Sequence, residues 1–327
     1  MSPMDARKAS EAAPTFGEFA DTYIKAQAPG WKGAKTEAGW RNTVENHAAA
    51  LKDKRLDQIT TADIESVLKP IWTTKAETAQ KLQMRLESIL DAAKVKGFRT
   101  GDNPARWRGH LEHLLSKRLK LTRGHHPSMP FAALPAFMAT LDDVGGMGAL
   151  ALKFAVLTAA REGMVTGAVW SEIDLPGAMW TIPAERMKGD INEAKGEAFQ
   201  IPLSAAAVAV LEAAGKVRFA HPKGPDYVFL SAKPGAPLSN ATMDAVLDRM
   251  AQPYVPHGFR STFRDWAGDR TNFDRDVVEM ALAHVVGSPT ERAYRRASAL
   301  EKRAKLMAAW GRFATSRKGA PAGRVAA

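Results

Sequence analysis

Apolar residues recur at helical spacing through the first hundred residues of the chain. Thr15 and Glu18 are spaced as in a capping box, and the apolar face that follows predicts a helix that ends at the Pro29-Gly30 pair. Three further helices are predicted in the same way: on the stripe Trp40, Val44, Ala48 and Leu51, over residues 61–68 before Pro70, and on the stripe Leu82, Leu86, Ile89, Leu90 and Ala93 before Gly97. The pattern therefore predicts a small four-helix unit.

The second half of the chain mixes helical patterns with short β-type runs. Residues 150–157 are apolar all round, as in a fully buried helix, and Arg161 follows where the apolar run ends. Residues 180–182 and 199–201 indicate two strands joined by a long polar hairpin that contains Lys188. A further strand is predicted over residues 227–230, and helices over residues 130–141, 204–213, 241–250 and 300–313. The expected fold class is mainly α with a small antiparallel sheet.

The charge of the chain narrows the class of partner. A net charge of +11 and a pI of about 9.8 favour a polyanion, of which nucleic acid is the commonest, over a basic protein with no charged partner. The chain has no cysteine, so disulfides and thiolate metal sites are excluded. We find no apolar run long enough to span a membrane and no signal peptide, and we expect a cytoplasmic protein.

A basic segment connects the two halves. Between Arg99 and Arg123, basic residues clearly outnumber acidic ones, and in a basic protein this favours contact with phosphates over a merely solvated surface. The same region contains His110, His113, His125 and His126. Their spacing invites a zinc interpretation, but no further ligand cluster supports it, and no metal site is predicted.

Residues 257–294 combine side chains suited to transfer of a phosphodiester to a tyrosine. His257 and Arg260 are three positions apart, His284 lies near the end of an apolar run, and Tyr294 follows among basic residues. A phenol attacks a phosphate only when cations and hydrogen-bond donors surround the phosphate, and guanidinium and imidazole groups supply both. Tyr254 is the other candidate nucleophile, but it lies between prolines.

The order Arg161, Lys188, His257-x-x-Arg260, His284 and Tyr294 resembles the tyrosine recombinases, the phage-integrase family, and is most like integrases of prophages and genomic islands. The resemblance extends from residue 14 to about residue 314. Supporting phrases are ITTADI at 59–64, DNPARW at 102–107, IPAERMKG at 182–189, IPLS at 201–204, HGFRSTFRDWA at 257–267 and LEKRAKLMAAW at 300–310.

The resemblance implies a helical core-binding domain and an α/β catalytic domain that together enclose duplex DNA. Tyr294 would attack the scissile phosphate and form a 3′-phosphotyrosine link. Arg161, Arg260 and His284 would stabilise the developing charge, Lys188 would protonate the leaving 5′ oxygen, and His257 would exchange a proton with Tyr294. The link conserves the energy of the phosphodiester, so neither a nucleotide cofactor nor a metal is expected.

The same resemblance implies the domain organisation and the partners. We expect a leader or linker remnant over residues 1–13, a core-type DNA-binding domain over 14–108, a basic linker over 109–128, a catalytic domain over 129–316 and a flexible tail over 317–327. The partners would be double-stranded attachment-site DNA, further copies of the chain in a tetrameric synapse, and an accessory DNA-bending or directionality factor. No membrane partner is expected.

Two departures from the family pattern keep alternatives open. The acid that usually follows the first arginine by three residues is replaced by Met164, so either Glu162 substitutes or activity is reduced. Family members usually begin with an arm-site domain, of which residues 5–13 resemble only the trailing linker, so we expect either a truncated copy or a protein that acts on simple core sites. The hairpin also holds a second lysine, Lys195.

The alternative functions are a DNA-binding protein with impaired catalysis and a nicking-closing enzyme like the type IB topoisomerases. The apolar face of the last helix poses a further choice. It packs either on its own domain or, as is typical of the family, in a neighbouring protomer. In the second case, deleting the residues after Ser298 should spare binding to a single site.

Overall fold

The computed structural model describes residues 13–31, 34–117, 127–187, 197–217, 224–233, 235–284, 286 and 296–316. It divides the chain into two compact units, Met1–Thr122 and Arg123–Ala327. Three residues singled out in the sequence, Lys188, Lys195 and Tyr294, lie outside the described residues, as do His125 and His126. Within the described ranges, no helix has both the length and the apolar composition required to cross a membrane.

The first unit is helical, as expected. Its α-helices are α1 (Phe16–Gln27), α2 (Ala34–Asn42), α3 (Thr61–Trp72) and α4 (Ala76–Val95). The predicted capping box is confirmed, because the Thr15 amide donates to Glu18 Oε2 at 2.9 Å and the Glu18 amide donates to the Thr15 hydroxyl at 3.4 Å. Gly97, with φ of 78°, lies just beyond the end of α4 in a conformation that favours glycine.

The predicted second helix is not a single α-helix. After α2 the chain continues as a π-helical turn, Thr43–His47, and a 3-10 turn, Ala49–Leu51. The carbonyl of Gly39 accepts Arg85 Nη1 at 2.6 Å and the Thr43 hydroxyl at 3.0 Å. These donors compete for the carbonyl that an α-helix would pair with the amide of Thr43, at the point where the α-helical pattern ends.

The predicted end of the third helix before Pro70 is also wrong, since α3 continues to Trp72. Trp72 is buried, its ring stacks on Trp107 with centroids 5.3 Å apart, and its indole Nε1 donates to the Ser116 carbonyl at 2.9 Å. Tertiary packing of the last turn therefore outweighs the preference of proline for a helix end.

The second unit contains a three-stranded antiparallel sheet in the order β1-β2-β3. The strands are β1 (Ile173–Asp174), β2 (Met179–Ile182) and β3 (Phe199–Pro202), and Trp180 pairs with Ile201. The helices are α5 (Leu134–Val144), α6 (Gly146–Thr158), α7 (Glu162–Thr166), α8 (Ala205–Gly215), α9 (Ala241–Arg249), α10 (Gly258–Arg270), α11 (Arg275–Ala281) and α12 (Arg296–Ala314). The expected fold class, mainly α with a small antiparallel sheet, is confirmed.

Residues 227–230 do not form the predicted strand. Tyr227 forms one isolated bridge with Val169, and Leu230 forms another with Pro237. The two ends of the apolar run thus form isolated bridges with different segments, and no continuous ladder of strand pairing results. Phe229 of this run is fully buried against Phe154, with ring centroids 5.5 Å apart. The apolar residues at the centre of the run are thus buried as core residues without forming a strand.

Helix α6 is the centre of the second unit. It packs against α5, α8, α9, α10 and α12, and its apolar side chains are buried on most of its circumference, as its sequence predicted. The helix ends at Thr158, and the next residues carry Arg161 out of the core. A buried helix of this kind gives Arg161 a rigid support.

Helix α12 packs on its own unit. Leu306, Met307 and Trp310 are buried, and the indole of Trp310 donates to the Val156 carbonyl in α6 at 2.8 Å. The Trp310 ring lies 5.0 Å from that of Trp266 in α10. Removal of the residues after Ser298 would therefore remove part of the core of the second unit. That this deletion spares binding to a single site stays a prediction.

We expect Trp310→Ala to lower the free energy of unfolding of the second unit by about 3–5 kcal/mol, because a large aromatic side chain leaves a cavity and the Val156 carbonyl loses its donor. Urea unfolding of the full chain followed by circular dichroism measures the effect. Lys305→Ala, an exposed site on the same helix, is the matched control. Equal stability of the two variants would contradict the assignment of α12 to the core.

Candidate active site

Three segments of the second unit bring Arg161, Arg260 and His284 together. Arg260 Nη1 donates to the carbonyl of Ala159, and Arg260 Nη2 donates to the carbonyl of Leu282 at 2.5 Å and lies 3.3 Å from His284 Nε2. Arg161 Nη2 donates to the carbonyl of Ala283 at 3.1 Å. These contacts place three of the residues predicted from the sequence around one locus.

Two alanines in the left-handed conformation present carbonyls to these arginines. Ala159 follows α6 with φ of 49°, and Ala283 follows α11 with φ of 53°. A residue with a β-carbon adopts this conformation at a cost of roughly 1–2 kcal/mol. Backbone carbonyl dipoles thus help to hold both guanidinium groups in place.

The start of α10 is fixed against the segment that opens the second unit. A β-carbon added to Gly258 would lie 2.1 Å from the Pro127 carbonyl oxygen, so only glycine allows this approach. The Thr262 hydroxyl donates to the Met129 carbonyl at 2.7 Å, one turn further along the helix. Arg260 lies between these two contacts and therefore has a closely defined position.

The exposure of the clustered residues differs. Arg260 is buried, with 6% of its surface accessible, and Arg161 is half-buried. The side chain of His284 is 43% exposed. An anion arriving from solvent would therefore meet His284 and Arg161 first, with Arg260 beneath them.

Glu279 belongs to the same cluster and was not predicted from the sequence. Its Oε2 lies 2.6 Å from His284 Nδ1, and its Oε1 lies 2.6 Å from Arg264 Nη2. Burial alone would raise the pKa of Glu279, but the hydrogen bond with His284 and the charges of Arg264, His284 and Arg275 outweigh it and lower the pKa below its usual value. The carboxyl group is therefore ionised at neutral pH. The available signal was a single acid within the apolar run that leads to His284.

Of the other predicted residues, the structure describes His257 but not Lys188 or Tyr294. His257 immediately precedes α10, its side chain is exposed, and its carbonyl accepts the amide of Arg260 at 3.2 Å. Lys188 follows the buried Met187, and Tyr294 precedes α12 by two positions in the sequence, but both lie outside the described residues. Their roles and that of His257 stay predictions.

Met164 does not take over the contact expected of an acid. Its side chain is buried in the core, and its carbonyl accepts Arg186 Nη2 at 2.5 Å. Arg186 also forms an ion pair with the buried Glu172. The Ala283 carbonyl is one partner of Arg161. That Glu162 substitutes for the missing acid stays a prediction.

The donor set of this cluster suits a phosphoryl group. Guanidinium groups bind phosphate oxygens in a bidentate manner, and an imidazole adds a further N–H donor. In the part of the chain that the structure describes, no three histidine, aspartate or glutamate side chains are grouped to hold a metal ion. The fold and the cluster define a two-unit protein with a cluster of cationic side chains suited to binding a phosphoryl group.

Comparison with known families identifies the lineage of both units. Residues 129–301 match the phage integrase family, and residues 16–110 match the phage integrase central domain. The first match covers more than half of the chain, so the chain belongs to the phage integrase family. The resemblance seen in the sequence is confirmed.

Individual relatives agree with this family. The chain is 28% identical over 277 residues to the prophage integrase IntA of Escherichia coli strain K12, a match that covers 83% of this chain and 63% of IntA. It is 27% identical over 296 residues to the prophage integrase IntZ of the same strain, covering 89% of this chain and 69% of IntZ. The chain thus spans less than two thirds of the length of IntA.

Solved structures show the same fold. A lambda integrase tetramer bound to a Holliday junction superposes with a TM-score of 0.62 over 89% of this chain and 80% of that chain, at 18% sequence identity. At this identity the likeness concerns the fold.

Proposed function

We propose that this protein is a site-specific DNA recombinase that cuts and rejoins DNA through a 3′-phosphotyrosine intermediate on Tyr294. The observation that carries the proposal is the convergence of Arg161, Arg260 and His284, with Arg260 Nη2 3.3 Å from His284 Nε2. Membership of the phage integrase family and the prophage integrases among its relatives support it.

The clustered cations would act on the charge of the transition state. Arg161 and Arg260 would bind the non-bridging oxygens of the scissile phosphate, and the Nε2–H of a protonated His284 ring would donate to one of them. Because the carbonyls of Ala159, Leu282 and Ala283 hold both guanidinium groups before DNA arrives, little reorganisation is required at the moment of reaction.

In the proposed reaction, the residues of the chain and the DNA supply every group that gains or loses a bond or a proton. The Tyr294 oxygen forms a bond to phosphorus as the bond from phosphorus to the 5′ oxygen breaks. His257 takes the phenolic proton, and Lys188 gives a proton to the 5′ oxygen. Attack of a 5′-hydroxyl on the phosphotyrosine reverses these steps and reseals the strand, so the proposal needs neither a nucleotide nor a metal.

The proposed partners are attachment-site DNA and further copies of the chain. A lambda integrase of the same fold has been seen as a tetramer bound to a Holliday junction, which supports a tetrameric synapse here. An accessory DNA-bending or directionality factor and a cytoplasmic location remain parts of the proposal.

Covalent trapping tests the function directly. The protein is incubated with nicked duplexes taken from the junctions that flank its own coding sequence, and adducts are separated on a denaturing gel. A covalent protein–DNA adduct that matures into recombinant product is expected. Binding without an adduct would favour the impaired DNA-binding protein, and relaxation of supercoiled DNA without recombinants would favour the nicking-closing enzyme.

We expect DNA affinity to fall steeply with salt, because a basic protein displaces counterions from the phosphates that it contacts. Contact with about 6–10 phosphates would weaken binding by roughly 10³–10⁵ between 50 and 200 mM salt. Fluorescence anisotropy with a labelled duplex over this range gives the slope. An affinity that stays constant over the same range would contradict a predominantly phosphate-bound complex.

A further inference from the structure

Glu279 holds His284 at two points. The amide of His284 donates to the Glu279 carbonyl at 2.9 Å, and His284 Nδ1 lies 2.6 Å from Glu279 Oε2. The main chain and the side chain of one residue thus fix both the backbone and the ring of the histidine. With Nδ1 bound to the carboxylate, Nε2 is the ring nitrogen that lies 3.3 Å from Arg260.

An ionised carboxylate decides which ring nitrogen carries the proton. A carboxylate only accepts hydrogen bonds, so Nδ1 bears hydrogen in both the neutral and the protonated ring. In the neutral ring, Nε2 then presents its lone pair to Arg260 Nη2. In the protonated ring, Nε2 presents an N–H to whatever oxygen occupies the site. The partner of Nδ1 therefore sets what Nε2 can do.

Helix α10 contacts both members of the Glu279–His284 pair. Arg260 approaches His284 Nε2, and Arg264, one turn later on the helix, forms an ion pair with Glu279 Oε1 at 2.6 Å. The side chain of Glu279 is only 15% exposed, whereas that of Arg264 is 47% exposed. The other charge that acts on the carboxyl group is that of Arg275 in α11. The carboxylate is thus fixed between the histidine and α10.

We propose that Glu279 is a positioning residue for the recombination reaction, which binds the Nδ1–H of His284 and so orients the ring with Nε2 toward the scissile phosphate, where the protonated ring donates its Nε2–H. This inference rests on the proposed function. Glu279 acts through His284 and has no contact of its own with the reacting atoms. Outer hydrogen-bond partners of this kind are well known to fix the tautomer of metal-bound histidines.

Glu279→Gln tests the role with little change of shape. An amide offers Nδ1 either an acceptor or a donor, so the tautomer is no longer fixed. We expect cleavage by the bound complex to slow by about 10- to 100-fold, the size found when partners of metal-binding histidines are replaced, with DNA affinity unchanged. Glu301→Gln, which removes the same charge from an exposed position on α12, is the matched control and should cleave normally.

A double-mutant cycle separates positioning from a general structural effect. If Glu279 acts through His284, Glu279→Gln should cause no further loss in a His284→Ala background. Equal losses in both backgrounds would overturn the proposal. Glu279→Asp retains a carboxylate and serves as the second variant if the glutamine variant fails to fold. It should retain the Nδ1–H tautomer.

Nitrogen NMR of the DNA-free protein gives a readout that needs no activity. The His284 ring should carry hydrogen on Nδ1 in the wild-type chain and populate both tautomers in Glu279→Gln. A wild-type ring with hydrogen on Nε2 alone would overturn the inference even if recombination is observed. Failure of the wild-type chain to form adducts would overturn the proposed function, and the positioning role in that reaction with it, while an Nδ1–H signal would still establish the Glu279 contact.

Discussion

Replacement of Tyr294 with phenylalanine is expected to abolish covalent protein–DNA adducts while leaving DNA binding nearly intact. Phenylalanine preserves the ring and removes only the oxygen that attacks phosphorus. Loss of a covalent nucleophile costs on the order of 10⁶ in rate in a well-studied protease, so adducts should fall below detection. Denaturing gels after incubation with nicked attachment-site DNA measure the adduct, and gel shifts measure binding.

Tyr254→Phe is the matched control for this experiment. Tyr254 is the alternative nucleophile closest to His257 in the sequence, and it packs against the core of the second unit. Tyr23 and Tyr227 have structural surroundings, since the Tyr23 ring lies 5.7 Å from Trp40 and Tyr227 bridges to Val169. Adducts that persist in Tyr294→Phe and vanish in Tyr254→Phe would move the nucleophile to Tyr254.

Arg260→Lys should slow cleavage by roughly a hundredfold or more, the effect of losing a donor to a developing oxyanion. Lysine keeps the charge, but a single ammonium group cannot reproduce a planar guanidinium that contacts Ala159, Leu282 and His284 at once. Single-turnover cleavage of prebound complexes isolates the chemical step from binding.

Two control measurements accompany the Arg260→Lys experiment. Arg249→Ala removes a cation from an exposed position on α9 and should leave single-turnover cleavage unchanged. Thermal unfolding of Arg260→Lys shows whether the second unit still folds, because the carbonyls of Ala159 and Leu282 lose part of their donors. If DNA affinity falls and the cleavage rate of the bound complex does not, Arg260 is a binding contact only.

The charged side chains of the site were easier to predict from the sequence than the groups that hold them in position. Arg161, Arg260 and His284 were recognisable because their side chains carry the chemistry and their order along the chain is specific. The carbonyls of Ala159 and Ala283 were not recognisable from the sequence, because every residue has a carbonyl. The direction of these two carbonyls depends on a left-handed backbone conformation that alanine seldom adopts. Glu279 could not be recognised from the sequence, because its contact with His284 depends on the turn after α11, which brings the histidine back to the helix.

The same distinction holds for the fold. Helices with a regular apolar stripe, such as α1 and α4, were predicted because local periodicity and capping agree with their tertiary packing. The errors fell where a distant residue decides the local conformation. Arg85 binds the Gly39 carbonyl where α2 gives way to a π-helical turn, and Trp107 holds the last turn of α3 beyond Pro70.

The burial of α12 has a consequence for biosynthesis. Because Trp310 fills the space between α6 and α10, the second unit cannot complete its core until the chain has been synthesised as far as Ala314. Arg161 and Arg260 leave the ribosome earlier, yet α6, which precedes Arg161, and α10, which carries Arg260, lack their packing partner until then. A nascent chain or a product of premature termination would therefore carry most of the cationic residues without a folded site, and a newly made protein should not cut DNA before its synthesis has passed the nucleophile and the helix behind it.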